Sequence, residues 1–67
     1  MSLSSKYLIK ILENYGFEFR RAKGSHQVFY RSDDNRTVIV PCHGGKDMKM
    51  GTFLAILKQA GIDKNDL

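Results

Sequence analysis

The residue in this chain best placed to do chemistry is His26, because of what precedes it. Lys23-Gly24-Ser25-His26 sets an imidazole directly after a fixed positive charge, a glycine and a hydroxyl. An imidazole of ordinary pKa, about 6.5, gives or takes a proton near neutrality. Glycine lets the backbone turn tightly and come close to a ligand. A site this sparse suits a substrate that brings its own nucleophile. RNA does so: its 2′-OH lies next to the phosphate, so the protein need only move protons and stabilise charge on the phosphoryl oxygens. By spacing alone, a surface histidine in a hairpin is the commoner outcome, and the chemical reading of His26 needs further support.

The other candidates are weaker. His43 follows a strand-like segment and precedes Gly44-Gly45-Lys46. It is either a second proton-transfer group or a packing residue that ties a loop down. Cys42 beside His43 is a poor nucleophile–base pair, since adjacent residues on an extended chain point in opposite directions. One cysteine and two histidines at these positions do not match zinc-ligand spacing, and no metal site is expected. Lys46 and Lys49 precede a second helix, where free N–H groups and the helix dipole favour phosphate. An RNA-phosphate contact and a plain helix-capping loop with exposed lysines fit this segment equally well.

Charge gives His26 a substrate class. The net charge is +4 and the pI about 9.5. The excess is localised: Arg20, Arg21, Lys23, Arg31, Arg36, Lys46 and Lys49 face only Asp33, Asp34 and Asp47 in the middle of the chain. Outside that window the charges cancel. A localised basic excess points to a polyanion such as nucleic acid. Cys42 is the lone cysteine, so no internal disulfide is available, and the first residues lack the apolar core of a signal peptide. No apolar run is long enough to span a bilayer. A cytoplasmic protein is expected.

The elements that must position His26 can be read from periodicity. With 67 residues the chain is expected to form one domain, 1–67, with a marginal core. Leu8, Ile11, Leu12 and Tyr15 form one helical face, capped by Ser4 or Ser5 and stopped at Gly16. Phe17 to Arg21 alternates as a strand, a second strand runs from about His26 to Tyr30, and Thr37–Val40 is a third, ended by Pro41. Phe53, Leu54, Leu57 and Ala60 form the stripe of a second helix that starts near Met50 and stops at Gly61. Phe17 and Phe19 are expected in the core; Phe29, Tyr30 and Tyr7 suit either the core or base stacking. The result is an α+β fold in the order α-β-β-β-α. It has a three-stranded antiparallel sheet, both helices on one face and the other face open.

Three segments together resemble the HicA family of bacterial toxins. They are Lys23-Gly24-Ser25-His26, then Thr37-Val38-Ile39-Val40-Pro41 with His43, then Lys49-Met50-Gly51-Thr52 leading into Ile56-Leu57-Lys58-Gln59-Ala60-Gly61. The opening helix and Gly16-Phe17 fit as well, so the resemblance covers nearly the whole chain. It implies a fold like the double-stranded-RNA-binding domain, endoribonuclease activity on mRNA, and neutralisation by a HicB antitoxin. A homodimer and a hetero-oligomer with the antitoxin both stay open. The histidine of the family's G-[ST]-H segment is catalytic, which makes His26 the catalytic candidate here. Lys23, Gly24, Ser25, Lys46, Lys49 and Thr52 are then expected to contact RNA, with no metal and no cofactor. Met50 stands where the family often has proline, and Gln27 where a second histidine is common. The alternatives are a non-catalytic RNA-binding module of the same fold and an interaction protein active only through a protein partner.

Overall fold

The computed structural model describes residues 3–42 and 47–67. Helix α1 spans Ser5–Asn14 and follows Ser4, whose hydroxyl accepts the Tyr7 N–H at 3.1 Å. Strands β1 (Glu18–Lys23), β2 (His26–Arg31) and β3 (Arg36–Pro41) form one antiparallel sheet in the order β1-β2-β3. Helix α2 spans Met50–Gln59, and a short 3-10 turn, Lys64–Asp66, follows. The order and layering are those expected, with the topology of a double-stranded-RNA-binding domain. Among the described residues no helix is long and apolar enough to cross a membrane.

Both helices end in the same way. Gly16 and Gly61 take left-handed conformations, φ 91° and 72°. The Phe17 N–H then reaches the Leu12 carbonyl at 3.0 Å and the Ile62 N–H reaches that of Leu57 at 2.9 Å. This 6→1 bond closes a Schellman motif, and it folds the next side chain back onto the helix. Phe17 and Ile62 are buried as a result. Phe17 is therefore spent on the exit from α1, and β1 begins one residue later, at Glu18.

The core lies between the helices and one face of the sheet. Leu8, Leu12, Phe29, Val38, Val40 and Leu57 are almost wholly buried there, and both helices pack over β3. The Tyr7 and Phe53 rings stack between the helices, 6.0 Å apart and nearly parallel. β1 lies at the far edge of the sheet and every residue in it is exposed. Phe19 therefore departs from expectation. It points to the helix side, yet it is 53% exposed and keeps an edge-to-face contact with Phe29 at 5.8 Å. Phe29, whose placement the sequence left open, is almost wholly buried.

At its far end β2 is fastened to both helices by Arg31. Its guanidinium donates to the Tyr15 carbonyl at 2.9 Å and to the Ala60 carbonyl at 3.1 Å, the residues that end α1 and α2. It also grips Asp34 through two bonds, at 2.9 and 2.7 Å, and lies 4.5 Å over the Phe17 ring. Arg36 donates to the same Asp34 at 2.7 Å and to the Gln59 carbonyl at 2.8 Å. Cations at helix C-termini complement the macrodipole. The hydrogen bond to Asp34 raises the Arg31 pKa against the opposing effect of burial. The bonds from Arg31, then Arg36, hold the Asp34 carboxyl down at about 2, with desolvation opposing them.

Candidate active site

His26 is the first residue of β2 and faces away from the helices, into solvent. Two local features put it there. Gly24 and Ser25 form a two-residue hairpin turn, and Gly24 has φ 59° while Ser25 has no positive φ. A first turn residue with positive φ is the glycine position of a type II′ turn, whose twist matches that of the strands it joins. Strand pairing therefore runs to the very end of the hairpin, where Lys23 faces His26 directly. β1 reaches Lys23, two residues beyond Arg21, where the alternation was expected to end. On the other side His26 pairs with Pro41, and the Cys42 N–H donates to the Ser25 carbonyl at 2.6 Å, tying the turn to the end of β3. Pro41 lies in the strand as its last residue, which an edge strand tolerates.

An open concavity surrounds the imidazole, lined by Arg21, Lys23, Gly24, Ser25, His26, Val28 and Ile39. The structure thus brings together four of the expected site residues: Lys23, Gly24, Ser25 and His26. A Cβ added at Gly24 would meet nothing within 4 Å, so the positive φ, and not crowding, demands glycine there. Lys49 and Thr52 lie elsewhere, exposed at the start of α2. Lys49 occupies the position that caps that helix but makes no capping bond with its side chain. His43 and Lys46 lie outside the described residues. Gln27 pairs with Ala22 and with the buried Val40, so it sits on the helix side of the sheet, opposite His26. The residue that replaces a second histidine is thus not on the face that carries the first.

The sequence did not point to Arg21, Val28 and Ile39 as neighbours of His26, nor to the pairing of Arg20 with Tyr30. Ordinary strand register brings Arg21, Val28 and Ile39 to the side of His26, and a bulge in β1 adds Arg20. Phe19 pairs with Phe29 and Arg21 with Val28, so Arg20 is an extra residue with no partner position. The bulge puts Arg20 on the open face, where its guanidinium carbon lies 4.4 Å from the centre of the Tyr30 ring. Arg21 shares that face, although two successive residues of a regular strand face opposite ways. One signal was available: Phe19 and Ala22, the apolar residues of β1, are three residues apart, which strict alternation forbids.

The geometry is that of an exposed imidazole at the end of a basic sheet face. A family model described as "HicA toxin of bacterial toxin-antitoxin" matches residues 5–62. The chain is also 39% identical over 51 residues to the "Probable mRNA interferase HicA" of Pseudomonas fluorescens (strain Pf0-1), a match covering 76% of this chain and 82% of that one. The family match runs from the first residue of α1 to the residue that closes the exit from α2, and the chain belongs to the HicA toxin family.

Proposed function

We propose that this chain is a toxin that cleaves mRNA as a metal-independent endoribonuclease, with His26 as its catalytic residue and a HicB-like antitoxin as its inhibitory partner. The observation that carries the reading is the exposed His26 facing Lys23 across a glycine turn, on the basic open face of the sheet. Family membership and the name of the Pseudomonas relative support it. In the reaction the 2′-oxygen attacks the adjacent phosphorus and the bond to the 5′-oxygen breaks, leaving a 2′,3′-cyclic phosphate and a 5′-hydroxyl. His26 takes the proton from the 2′-OH or gives one to the departing oxygen. Lys23 stabilises the charge that builds on the phosphoryl oxygens. His43 is the candidate for the second proton transfer. Gly24 and Ser25 let the backbone approach the phosphate, while Lys46, Lys49 and Thr52 hold the RNA backbone.

The test is cleavage of a long RNA in EDTA by the parent protein and by His26→Ala. The parent cuts it to products with cyclic phosphate ends, and the variant loses on the order of 100-fold or more in rate, as expected for loss of a proton-transfer group. Equal rates for the two proteins would remove His26 from catalysis. Binding without cleavage by either would leave a non-catalytic RNA-binding module.

A further inference from the structure

The open face of the sheet is not uniformly polar, as an antiparallel sheet facing water commonly is. Strand register arranges it in rows. Lys23, His26 and Pro41 form the row at the turn, Arg21, Val28 and Ile39 the next, and Glu18, Tyr30 and Thr37 the third. The middle row is aliphatic at its centre and its outer edge, and Ile39 is 51% exposed. Arg21 borders this row on the β1 side. Beyond it, Arg20 lies over the Tyr30 ring, and the Tyr30 hydroxyl donates to the Asn35 side chain, which fixes the far edge of the ring. At roughly 3.4 Å per residue, Tyr30 is about 14 Å along β2 from His26.

This arrangement fits one class of polyanion. Duplex RNA shows proteins its backbone and a shallow groove, and its bases are stacked on each other. A single strand can splay its bases onto aromatic rings and guanidinium planes while arginines pair with its phosphates. Both cations on this stretch are arginines. Arginine is the planar, stacking cation, whereas lysine would supply charge alone.

We propose that RNA runs as a single strand along the open face of the sheet. The Arg20–Tyr30 pair stacks a base a few nucleotides from the phosphate cut at His26, and Arg21 holds the intervening backbone over Val28 and Ile39. The proposal rests on the ribonuclease reading and adds to it the substrate's strandedness, its path and a base-stacking subsite. It also implies that cleavage depends on a base remote from the cut, so that an abasic nucleotide there slows the reaction.

The test uses the whole protein and a short fluorescent 2′-O-methyl oligoribonucleotide, which lacks the internal nucleophile and stays intact whatever His26 does. Arg20→Lys keeps the charge and loses the stacking plane; Tyr30→Leu removes the ring; Arg21→Ala removes the phosphate contact. Each is expected to weaken binding roughly 5- to 100-fold. Lys10→Ala and Lys58→Ala, which remove charge from the helix layer, stay within about twofold. Arg20→Lys changes only an exposed residue, so its result does not depend on a fold-sensitive variant. If the parent cleaves RNA and binds the probe while all three variants bind as the parent does, the ribonuclease reading stands and this path is overturned. Cleavage without measurable probe binding, or tighter binding of a duplex, overturns it too. So does a face whose variants lose a protein antitoxin but not the oligonucleotide. Probe binding that follows the variants, in a parent that does not cleave, supports the path and removes the catalytic reading. A parent that neither binds nor cleaves removes both.

Discussion

Replacing Arg31 with lysine keeps the charge and removes the fork, and the structure sets how much that should cost. The guanidinium reaches the last carbonyls of both helices and both oxygens of Asp34 at once. An ammonium is a single point and cannot serve two helix ends and a carboxylate together. The carbonyl bonds are partly buried, and the Arg31 side chain is only 16% exposed. A hydrogen bond to a charged group contributes about 1.5–3 kcal/mol, so losing two would cost up to about 6 kcal/mol. Lysine recovers one bond and water reaches part of the site, which leaves a net loss of about 2–3 kcal/mol. For a domain of this size 1 kcal/mol moves the melting temperature by about 4–8 °C, so Arg31→Lys should melt roughly 10–20 °C below the parent. Thermal denaturation followed by far-UV circular dichroism at neutral pH measures this directly. Repeating the melt in high salt should change the difference little, because screening acts mainly on exposed charges. A variant melting within about 3 °C of the parent would show that charge alone, and not the fork across two helix ends, holds β2 to the helices.

Asp34 gives the same clasp a pH signature. Its folded-state pKa of about 2 lies below its unfolded value, so its contribution is complete above pH about 4 and is lost as the pH falls toward 2. Acid titration of the melting temperature should therefore show a fall in that window that Asp34→Asn lacks. Phe29→Ala should cost about 3–5 kcal/mol in urea denaturation, whereas Phe19→Ala, at a half-exposed edge, should cost less than about half as much; equal losses would mean that β1 is covered in solution. Gly61→Ala must adopt φ 72° with its new methyl 3.1 Å from the Arg36 guanidinium, and should lose about 1–2 kcal/mol. Gly51→Ala lies in α2 with open space around it and should gain up to about 1 kcal/mol; a fall in its melting temperature would contradict that.

The parts of the fold written in local chemistry were legible in the sequence. Helix stripes, stop glycines and the Gly24-Ser25 turn each act within a few residues, so a single stretch of chain reveals them. Long-range consequences were harder to see. Phe19 carries the residue type of a core position, but burial depends on which strand the helices cover, and they cover β3. Ile39 has the same character and lies half exposed on the opposite face, because only strand register decides its side. The clasp of Arg31 was not legible, because its partners at Tyr15 and Ala60 are distant in sequence. The site was half legible. Lys23, Gly24, Ser25 and His26 are contiguous and were found together, whereas Arg21, Val28 and Ile39 reach His26 only through strand pairing.

The bulge in β1 bears on how such a face can be acquired. Without Arg20 the strand would alternate regularly, with Phe19 and Ala22 toward the helices and Arg21 and Lys23 toward solvent. The residue that breaks the alternation is therefore one that the fold does not require. A point substitution on a small sheet exchanges one side chain for another. A single-codon insertion that the ladder absorbs adds a side chain to the outer face and leaves every core position filled as before. Length variation within strand β1, usually read as damage to a sheet, is here a route by which a domain with almost no spare residues can gain a contact.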